Sequence, residues 1–334
     1  MLNKFKAALI GCGRIGSEFD ALPLRRMAFS HAGAYLLHPR TQLIAACDSD
    51  TGKLHAFKKK WKTKRLYSSY RDMLKHERVD ILSICTPASS HAEIVEEVCV
   101  FPLKAIYCEK PISDKVKDAQ RMVKACRQKG ILLVINHQRN FDPFYNELKN
   151  KLNHGAIGSV QQVNCYYTRG IMNTGVHILS LFSFLFGRVE WVMADYSQNK
   201  SPFKGDPNLE AMIKFKNGPC VTLKPCDDNA YLIFEIDILT NQARLRLSGD
   251  DLEYFSKTSP KNLLNKNTLL PSKDIPFRAI YTDTSLVYVV DYIVKCLEDK
   301  CSSLSSGEAA VEVLRVIDSL LHAARSGKRL FLSH

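Results

Sequence analysis

Apolar positions in the first part of the chain form short continuous runs, separated by segments in which apolar residues recur at helical spacing. The runs have strand length and are predicted as strands: Phe5–Ile10, Leu43–Cys47, Val79–Cys85, Lys104–Cys108 and Ile131–Asn136. Unbroken apolar runs are typical of parallel strands buried on both faces. Their alternation with helical segments predicts a doubly wound parallel sheet of the Rossmann type, with ligands at the carboxyl ends of the strands.

Helix-capping signals support this interpretation. Ser30 is predicted to cap a helix that resumes after an insertion at Ser17–Gly33. Ser90 and Glu93 predict a capping box for the helix that follows the third apolar run. Gly130 is predicted to end the helix before the last run. The insertion is expected at the carboxyl edge of the sheet, because it directly follows the first strand.

The pattern changes after residue 136, and alternating runs separated by turn residues predict an open, mainly antiparallel sheet. The predicted strands are Val160–Thr168, Glu190–Tyr196, Leu209–Phe215, Val221–Lys224, Tyr231–Leu239 and Ala243–Leu247. Ser256–Pro276 is predicted as a polar loop, and two helices, Thr284–Leu297 and Ser305–Arg325, close the chain, with Ser305 and Glu308 as a capping box for the last one. We therefore predict two domains: a Rossmann domain at 1–136, and an α+β domain at 137–334 with its last helix at about 305–326.

Composition narrows the class of protein. A chain of 334 residues with 46% hydrophobic and 24% charged residues is typical of a soluble globular protein. No apolar stretch reaches the roughly 18 residues that a membrane helix needs, so no membrane partner is expected. The first apolar run continues directly into a glycine-rich turn without a signal-peptide cleavage pattern, and a cytoplasmic location is expected.

Cysteine and charge patterns exclude some chemistries. None of the 11 cysteines forms a C-x-x-C pair, and we expect reduced thiols and no metal site. The formal net charge is +13, with one local basic cluster at Lys58–Arg65. No helix–turn–helix or aromatic RNA-binding signature accompanies it, so no nucleic-acid partner is expected. A positive field can also attract an anionic substrate such as an acidic or nucleotide-linked sugar.

The turn after the first strand is the main candidate for chemistry. Gly11, Gly13 and Gly16 have the spacing G-x-G-x-x-G, and the turn also contains Cys12, Arg14 and Ile15. The first glycine permits a tight turn, the second admits a pyrophosphate, and the third allows close packing of helix and strand. The spacing predicts a dinucleotide site, with an ordinary glycine-rich turn as the alternative.

An acidic residue follows the second strand. Asp48 can bind both hydroxyls of an adenosine ribose and repel a 2′-phosphate, which favours NAD over NADP. Ser49 and Lys53 lie close by in sequence and keep NADP possible. In the insertion, Arg25 or Arg26 is a candidate to reach a phosphate of the cofactor or substrate, and a solvent-facing loop is the alternative.

Three motifs together resemble the glucose–fructose oxidoreductase/inositol dehydrogenase (Gfo/Idh/MocA) family: GCGRIG at 11–16, CTPASSH at 85–91 and CEKPIS at 108–113. The resemblance implies an NAD(P)-dependent oxidoreductase that acts on a sugar, cyclitol or nucleotide sugar. It places Lys110 beside the nicotinamide and the reacting hydroxyl, as the acid/base. Thr86, Pro87 and His91 would line the nicotinamide side, and Glu109 and Lys110 would also bind the cofactor. An amine at that position can accept or return the hydroxyl proton during hydride transfer.

The second half retains the family pattern with two changes. Arg139 is retained, whereas Asn140 replaces a second arginine. Asn173 and His177 match the family's Asp-x-x-x-His pair, but Asn173 cannot act as a base. The resemblance therefore implies that His177 and Lys110 carry the proton transfer, while Asn173 and Arg139 bind the substrate. It also implies a homodimer or homotetramer that pairs through the second sheet.

Two other functions stay open at this point. The family includes a galactose-pathway repressor, so a non-catalytic, cofactor-binding regulator is one alternative, and Asn173 is its best support. An NAD-assisted glycosidase of the same fold is the other. The chemistry of the residues favours the dehydrogenase.

Overall fold

A computed structural model describes residues 4–21, 27–249, 251–258, 267–277, 285–299 and 307–332. The chain divides into two compact units. The first comprises Met1–Phe141 and Thr284–Leu314, and the second comprises Asp142–Asp283 and Arg315–His334. Arg25, Arg26 and Ser305, to which the sequence assigned a phosphate contact and a helix cap, lie outside the described residues.

A parallel sheet forms the centre of the first unit, as the apolar runs predict. Its six described strands are β1 (Phe5–Ile10), β2 (Thr41–Cys47), β3 (Arg65–Tyr67), β4 (Ile81–Ile84), β5 (Ala105–Cys108) and β6 (Leu132–Ile135). They pair in the order β3-β2-β1-β4-β5-β6, and every neighbouring pair is parallel. The strand order reverses between β1 and β4, which is where a doubly wound sheet opens a crevice for a ligand.

The helices between these strands are α1 (His31–Leu37), α2 (Thr51–Trp61), α3 (Tyr70–His76), α4 (Ala88–Val98) and α5 (Val116–Lys129). The predicted cap of α1 is confirmed, since the Ser30 side chain accepts a hydrogen bond from the Gly33 N–H at 3.2 Å. Gly130 ends α5 in the left-handed conformation, also as predicted. The short elements β3 and α3 were not predicted.

The capping box predicted at Ser90 and Glu93 is wrong. Helix α4 begins directly after Pro87, so Ser90 lies inside its first turn. The Ser90 hydroxyl contacts Thr86 Oγ1 and the Pro87 carbonyl oxygen, each at 2.8 Å. The start of a helix tolerates a proline, because an N–H there has no partner within the helix. Pro87 is the N-cap residue, and no side chain caps α4.

Helix α8 (Leu286–Asp299) packs in the first unit, although the sequence assigned it to the domain beginning at residue 137. Its fully buried residues belong to one apolar cluster with residues of α1 and the parallel sheet: Leu286, Val289, Val290 and Ile293. The Leu286 N–H also donates to the Ala28 carbonyl oxygen at 2.9 Å. Burial of this apolar stripe outweighs the sequence distance, because loop closure costs little extra as a loop lengthens.

The second unit contains a mixed sheet that is mostly antiparallel, as predicted. Its described strands are β7 (Val160–Tyr167), β8 (Val189–Tyr196), β9 (Leu209–Phe215), β10 (Cys220–Pro225), β11 (Phe234–Thr240), β12 (Ala243–Ser248), β13 (Asp251–Thr258), β14 (Thr268–Pro271) and β15 (Leu330–Phe331). They pair in the order β14-β13-β12-β11-β7-β10-β9-β8-β15, and only the described pair β7–β10 is parallel. Helices α6 (Pro143–Asn153) and α7 (Val176–Phe186) belong to this unit, and α9 (Gly307–Ser326) extends into it.

Part of the segment predicted as a polar loop, Ser256–Pro276, is sheet. Strand β13 continues to Thr258, and β14 pairs with it in the register Phe255↔Pro271. All four residues of β14 are exposed, so this edge strand has no buried face. Without a buried face, there is no alternation of apolar and polar residues from which a strand could be predicted.

Candidate active site

The three glycines of the turn after β1 have three different structural roles. Gly11 has φ +95°, and a Cβ there would lie 2.8 Å from the carbonyl carbon and oxygen of Cys85. A Cβ on Gly16 would collide with the Gly11 carbonyl oxygen. A Cβ on Gly13 would meet no atom within 4 Å, so this glycine borders open space. The first and third therefore allow close packing, and the second leaves room for a ligand.

Free backbone donors lie at the same turn. Arg14–Glu18 form a π-helical turn, in which the Ser17 N–H donates to Gly13 O and the Phe19 N–H to Arg14 O. Within the described part of the chain, the N–H groups of Arg14, Ile15 and Gly16 have no acceptor. Such unpaired donors at the start of a helical turn suit a phosphate. The turn therefore fits the pyrophosphate of a dinucleotide.

Asp48 follows β2 and is held beside this turn. Its Oδ2 accepts from the Cys12 N–H at 2.7 Å, and its Oδ1 accepts from the Asp50 N–H at 2.9 Å. The two amide bonds fix the half-buried carboxylate while leaving each oxygen a further lone pair. A fixed carboxylate with spare acceptor capacity fits the two hydroxyls of an adenosine ribose.

The other residues predicted to bind the cofactor lie at the same edge of the sheet. Thr86 and Pro87 follow β4, while Glu109 and Lys110 follow β5, and the Glu109 N–H donates to Ile84 O at 2.9 Å. Lys110 is half-buried and precedes Pro111 through a cis peptide bond. Because β4 and β5 are neighbours, the structure brings Thr86 and Lys110 to one edge.

His91 lies in the interior beside the two loops that carry Thr86 and Lys110. The side chain is fully buried in α4, and carbonyl oxygens lie beside both ring nitrogens: Thr86 O at 2.8 Å from Nε2 and Ile112 O at 3.2 Å from Nδ1. Its ring thus joins the loop after β4 to the loop after β5. The structure thus shows His91 between these two loops, and its place beside the nicotinamide stays a prediction.

Glu109 is buried and carries several hydrogen bonds. Its Oε1 lies 2.9 Å from His31 Nε2 and 2.5 Å from Asn136 Nδ2, and its Oε2 accepts from the Lys110 N–H at 3.2 Å. Burial alone would raise the pKa of Glu109, but the hydrogen bond and charge of His31, the charge of Lys110 and the Asn136 amide lower it below its ordinary value. The carboxylate is therefore an anion at neutral pH, and it is hydrogen-bonded to the backbone of Lys110.

The sequence interpretation missed the rest of this network. His31 is fully buried, with Nδ1 2.8 Å from Ser83 Oγ, and Ser83 Oγ is 2.7 Å from the Tyr35 hydroxyl. The hydrogen bonds can run in one direction along this chain of groups: Tyr35 donates to Ser83, Ser83 to His31 Nδ1, and His31 Nε2–H to Glu109. In the sequence, this network is indicated only by Ser83, a polar residue within the apolar run of β4.

A second branch of the network runs through Tyr107 on β5. Its hydroxyl donates to Asn136 Oδ1 at 2.7 Å, and its ring stacks on the His31 imidazole with centroids 4.0 Å apart. The side-chain amide of Asn136 is thus hydrogen-bonded through both atoms, its oxygen to Tyr107 and its nitrogen to Glu109. The network joins α1, β4, β5 and β6 beneath the edge that carries Lys110.

Asn173 and His177 lie in the second unit. Residues Gly170–Gly175 form a π-helical turn before α7, so the helical pattern predicted from Thr174 begins in this form. The N–H groups of Met172 and Asn173 donate to Asp206 Oδ1 and Oδ2, at 2.7 and 2.9 Å. His177 is half-buried in the first turn of α7. Asp206, which the sequence interpretation did not single out, thus fixes the turn that carries Asn173.

The remaining predicted residue, Arg139, belongs to the first unit, in a 3-10 turn at Gln138–Phe141, and is half-buried. The first unit therefore brings together the glycine turn, Asp48, Thr86 and Lys110. Within the described ranges there is no group of three His, Cys, Asp or Glu side chains that could hold a metal ion. No described helix is long and apolar enough to cross a membrane.

Comparisons with known proteins agree with this geometry. Residues 5–137 match a family model described as an oxidoreductase family with an NAD-binding Rossmann fold. Residues 149–332 match the model for the C-terminal alpha/beta domain of the same family.

Individual proteins of known name share less than 30% sequence identity with this chain in the three comparisons below. A D-apiose dehydrogenase from Paraburkholderia graminis is 26% identical, over 99% of this chain and 90% of that protein. An inositol 2-dehydrogenase from Salmonella typhimurium is 29% identical, over 48% of this chain and 44% of that protein. The WlbA dehydrogenase from Bordetella pertussis, solved with NADH and UDP-GlcNAcA, has a TM-score of 0.78 at 22% identity, over 99% of this chain and 100% of that one. At that identity the structural match shows the fold alone.

Replacing Glu109 by Gln tests the buried charge. We expect a loss of about 1.5–3 kcal/mol of unfolding free energy at pH 7, the value of hydrogen bonds to a charged group. Because the folded-state pKa is depressed, the stabilisation is complete above about pH 4.5, the ordinary value, and is lost as pH falls through the folded-state value. Urea unfolding from pH 3.5 to 7 measures this, with Glu96→Gln, at an exposed ion pair, as control. A stability difference independent of pH would contradict the assignment.

Replacing Asp48 by Asn tests cofactor selection. The change removes the charge that binds ribose hydroxyls and repels a 2′-phosphate, so we expect NADH affinity to fall roughly tenfold, about 1.4 kcal/mol, and discrimination against NADPH to shrink. Fluorescence titration with each cofactor measures both effects without a substrate. Asp50→Asn, which alters the N-cap of α2, is the matched control and should leave the NADH/NADPH ratio unchanged.

Proposed function

The chain belongs to the Gfo/Idh/MocA family of oxidoreductases, and from this premise we propose that it transfers a hydride between NAD and a hydroxyl or carbonyl carbon of a sugar, cyclitol or nucleotide sugar. The family models together match residues 5–137 and 149–332, which confirms the resemblance seen in the three sequence motifs. The substrate class is supported by relatives named as D-apiose and inositol dehydrogenases.

One observation carries the proposal: Lys110 stands at the end of β5, beside the switch point of an NAD-binding sheet, on a backbone held by an ionised, buried Glu109. Ligands of doubly wound sheets bind at this edge. A lysine fixed there can reach the reacting oxygen of a substrate bound over the cofactor. The anchored carboxylate limits how its backbone moves.

The residues divide the work as follows in this proposal. When bound, NAD supplies the hydride acceptor or donor. In oxidation, Lys110 would take the proton of the substrate hydroxyl as the O–H and C–H bonds break and the carbonyl C=O bond forms, and in reduction it would return this proton to the oxygen. His177 assists this proton transfer. Asn173 and Arg139 orient the substrate through hydrogen bonds, and Asp48 with the glycine turn holds the cofactor.

Thr86 and Pro87 border the nicotinamide side in this scheme, and NAD is preferred over NADP because Asp48 carries a fixed negative charge. The replacement of the family aspartate by Asn173 leaves the amine of Lys110 as the main acid/base. A regulator without turnover is the second candidate function, and Asn173 is the observation that favours it.

Replacing Lys110 by Ala should lower kcat by roughly 10²–10⁴ while leaving NADH affinity unchanged, since the change removes the proton acceptor and not the cofactor site. Stopped-flow or steady-state NADH absorbance with a sugar and cyclitol panel measures turnover, and fluorescence titration measures binding. Lys117→Ala, at an exposed position of α5, is the control. Near-normal turnover in the Lys110 variant would contradict its role.

The same panel separates the alternatives. NADH binding by the wild type without turnover of any sugar would indicate the regulator. Release of free sugar from glycosides with unchanged NADH absorbance would indicate the NAD-assisted glycosidase. Net NADH formation or consumption supports the dehydrogenase.

We also propose that the chain forms a homodimer or homotetramer through the face of the second sheet that carries Tyr166, Met193 and Met212. Met193 and Met212 are paired across β8 and β9 and are 37% and 44% exposed. Tyr166 on β7 is 38% exposed. Contiguous exposed apolar patches mark protein–protein contact surfaces, and these three side chains lie on one face of the sheet.

Met212→Lys tests this assembly, because a buried, unpaired ammonium in an interface disfavours association. We expect the molar mass measured by light scattering after size-exclusion chromatography to fall from two or four chains to one. Lys117→Glu, on the surface of α5 in the first unit, should not change the mass. A wild type that is monomeric at micromolar concentration would overturn the proposal.

A further inference from the structure

His137 occupies a fixed position at the sheet edge that carries Lys110. It follows β6 directly, and its N–H donates to the Ile135 carbonyl oxygen at 2.7 Å. Its own carbonyl oxygen accepts from the Asn140 N–H at 2.9 Å. The backbone is therefore held on both sides of the ring, and the imidazole has no loop freedom with which to seek other partners.

The ring is buried without hydrogen bonds. His137 is 3% exposed, and neither Nδ1 nor Nε2 has a partner within the described part of the chain. The neighbouring Asn136, by contrast, is hydrogen-bonded through both its amide oxygen and nitrogen. Buried polar groups in native proteins are paired with protein, water or ligand in the large majority of cases. Two unpaired nitrogens on one fixed ring therefore point to a ligand group.

The charges around the ring define which ligand it suits. Burial and, to a smaller extent, the charge of Lys110 lower the pKa of His137 to about 4, although the charge of Glu109 acts in the opposite direction. The imidazole is therefore neutral at pH 7, with one donor and one acceptor nitrogen. A hydroxyl can pair with either nitrogen, whereas a phosphate or carboxylate only accepts.

We propose that His137 is a further substrate-binding residue, and that its imidazole hydrogen-bonds a hydroxyl on the carbon next to the one that reacts at Lys110. The inference rests on the proposed function and sharpens its substrate class to compounds with adjacent hydroxyl groups, such as sugars and cyclitols. In this proposal, the ring nitrogens of His137 gain a hydrogen-bond partner only when the substrate binds.

The test uses the full chain loaded with NADH, and myo-inositol and D-apiose as probes, with affinities measured by calorimetry. In His137→Phe we expect polyol affinity to fall at least tenfold while NADH affinity is unchanged. The melting temperature of the free protein should rise by about 2–5 °C, because two unsatisfied nitrogens are removed. A purely structural histidine would not combine higher stability with weaker substrate binding.

His137→Asn retains a donor and an acceptor and should recover part of the lost affinity, and His55→Phe, at an exposed position of α2, should change neither property. Unchanged polyol affinity in His137→Phe would overturn the role of His137. A fall in NADH affinity would place the ring against the cofactor and overturn it equally. If the NADH-loaded wild type binds neither probe and no sugar, cyclitol or nucleotide sugar of the panel changes its NADH absorbance, the proposed function itself is overturned.

Discussion

The burial of one carboxylate is the constraint on which the site depends. Glu109 ends β5 in the interior, and an ionised carboxylate without partners there would cost several kcal/mol. Its partners come from separate parts of the chain: His31 on α1, Asn136 after β6, and the Lys110 amide. This pairing requires that α1, which follows the insertion, begins where His31 can reach the end of β5. Ser83 and Tyr35 complete the donor chain behind it.

Three buried histidines near this edge of the sheet differ in their hydrogen bonds. His31 is fully buried and has a partner at each ring nitrogen, and so does His91. His137 is as deeply placed and has none within the described chain. Satisfied networks hold a fold rigid, whereas an unsatisfied group is retained where a ligand repays its desolvation. Three histidines of similar burial thus have different roles, which only their partners distinguish.

Several features could be predicted because they depend on local sequence. The apolar runs, the glycine spacing and the Ser30 cap each involve residues within one element or turn, and the structure confirms them. The antiparallel second sheet followed from alternation over short strands. Predictions failed where no local pattern existed, as in β14, all of whose residues are exposed, or where a side chain chose another partner, as Ser90 did.

By itself, the sequence determined the class of fold, the location of the glycine-rich turn after β1 and the charge at Asp48, because hydrophobic periodicity and glycine spacing act over a few residues. Only the tertiary structure decided that α8 packs with the first unit, that Asp206 holds the turn of Asn173, and that His31 hydrogen-bonds Glu109. These pairings join residues tens to hundreds of positions apart. No single residue type or spacing records them, since each forms only after the chain has folded and buried its polar groups.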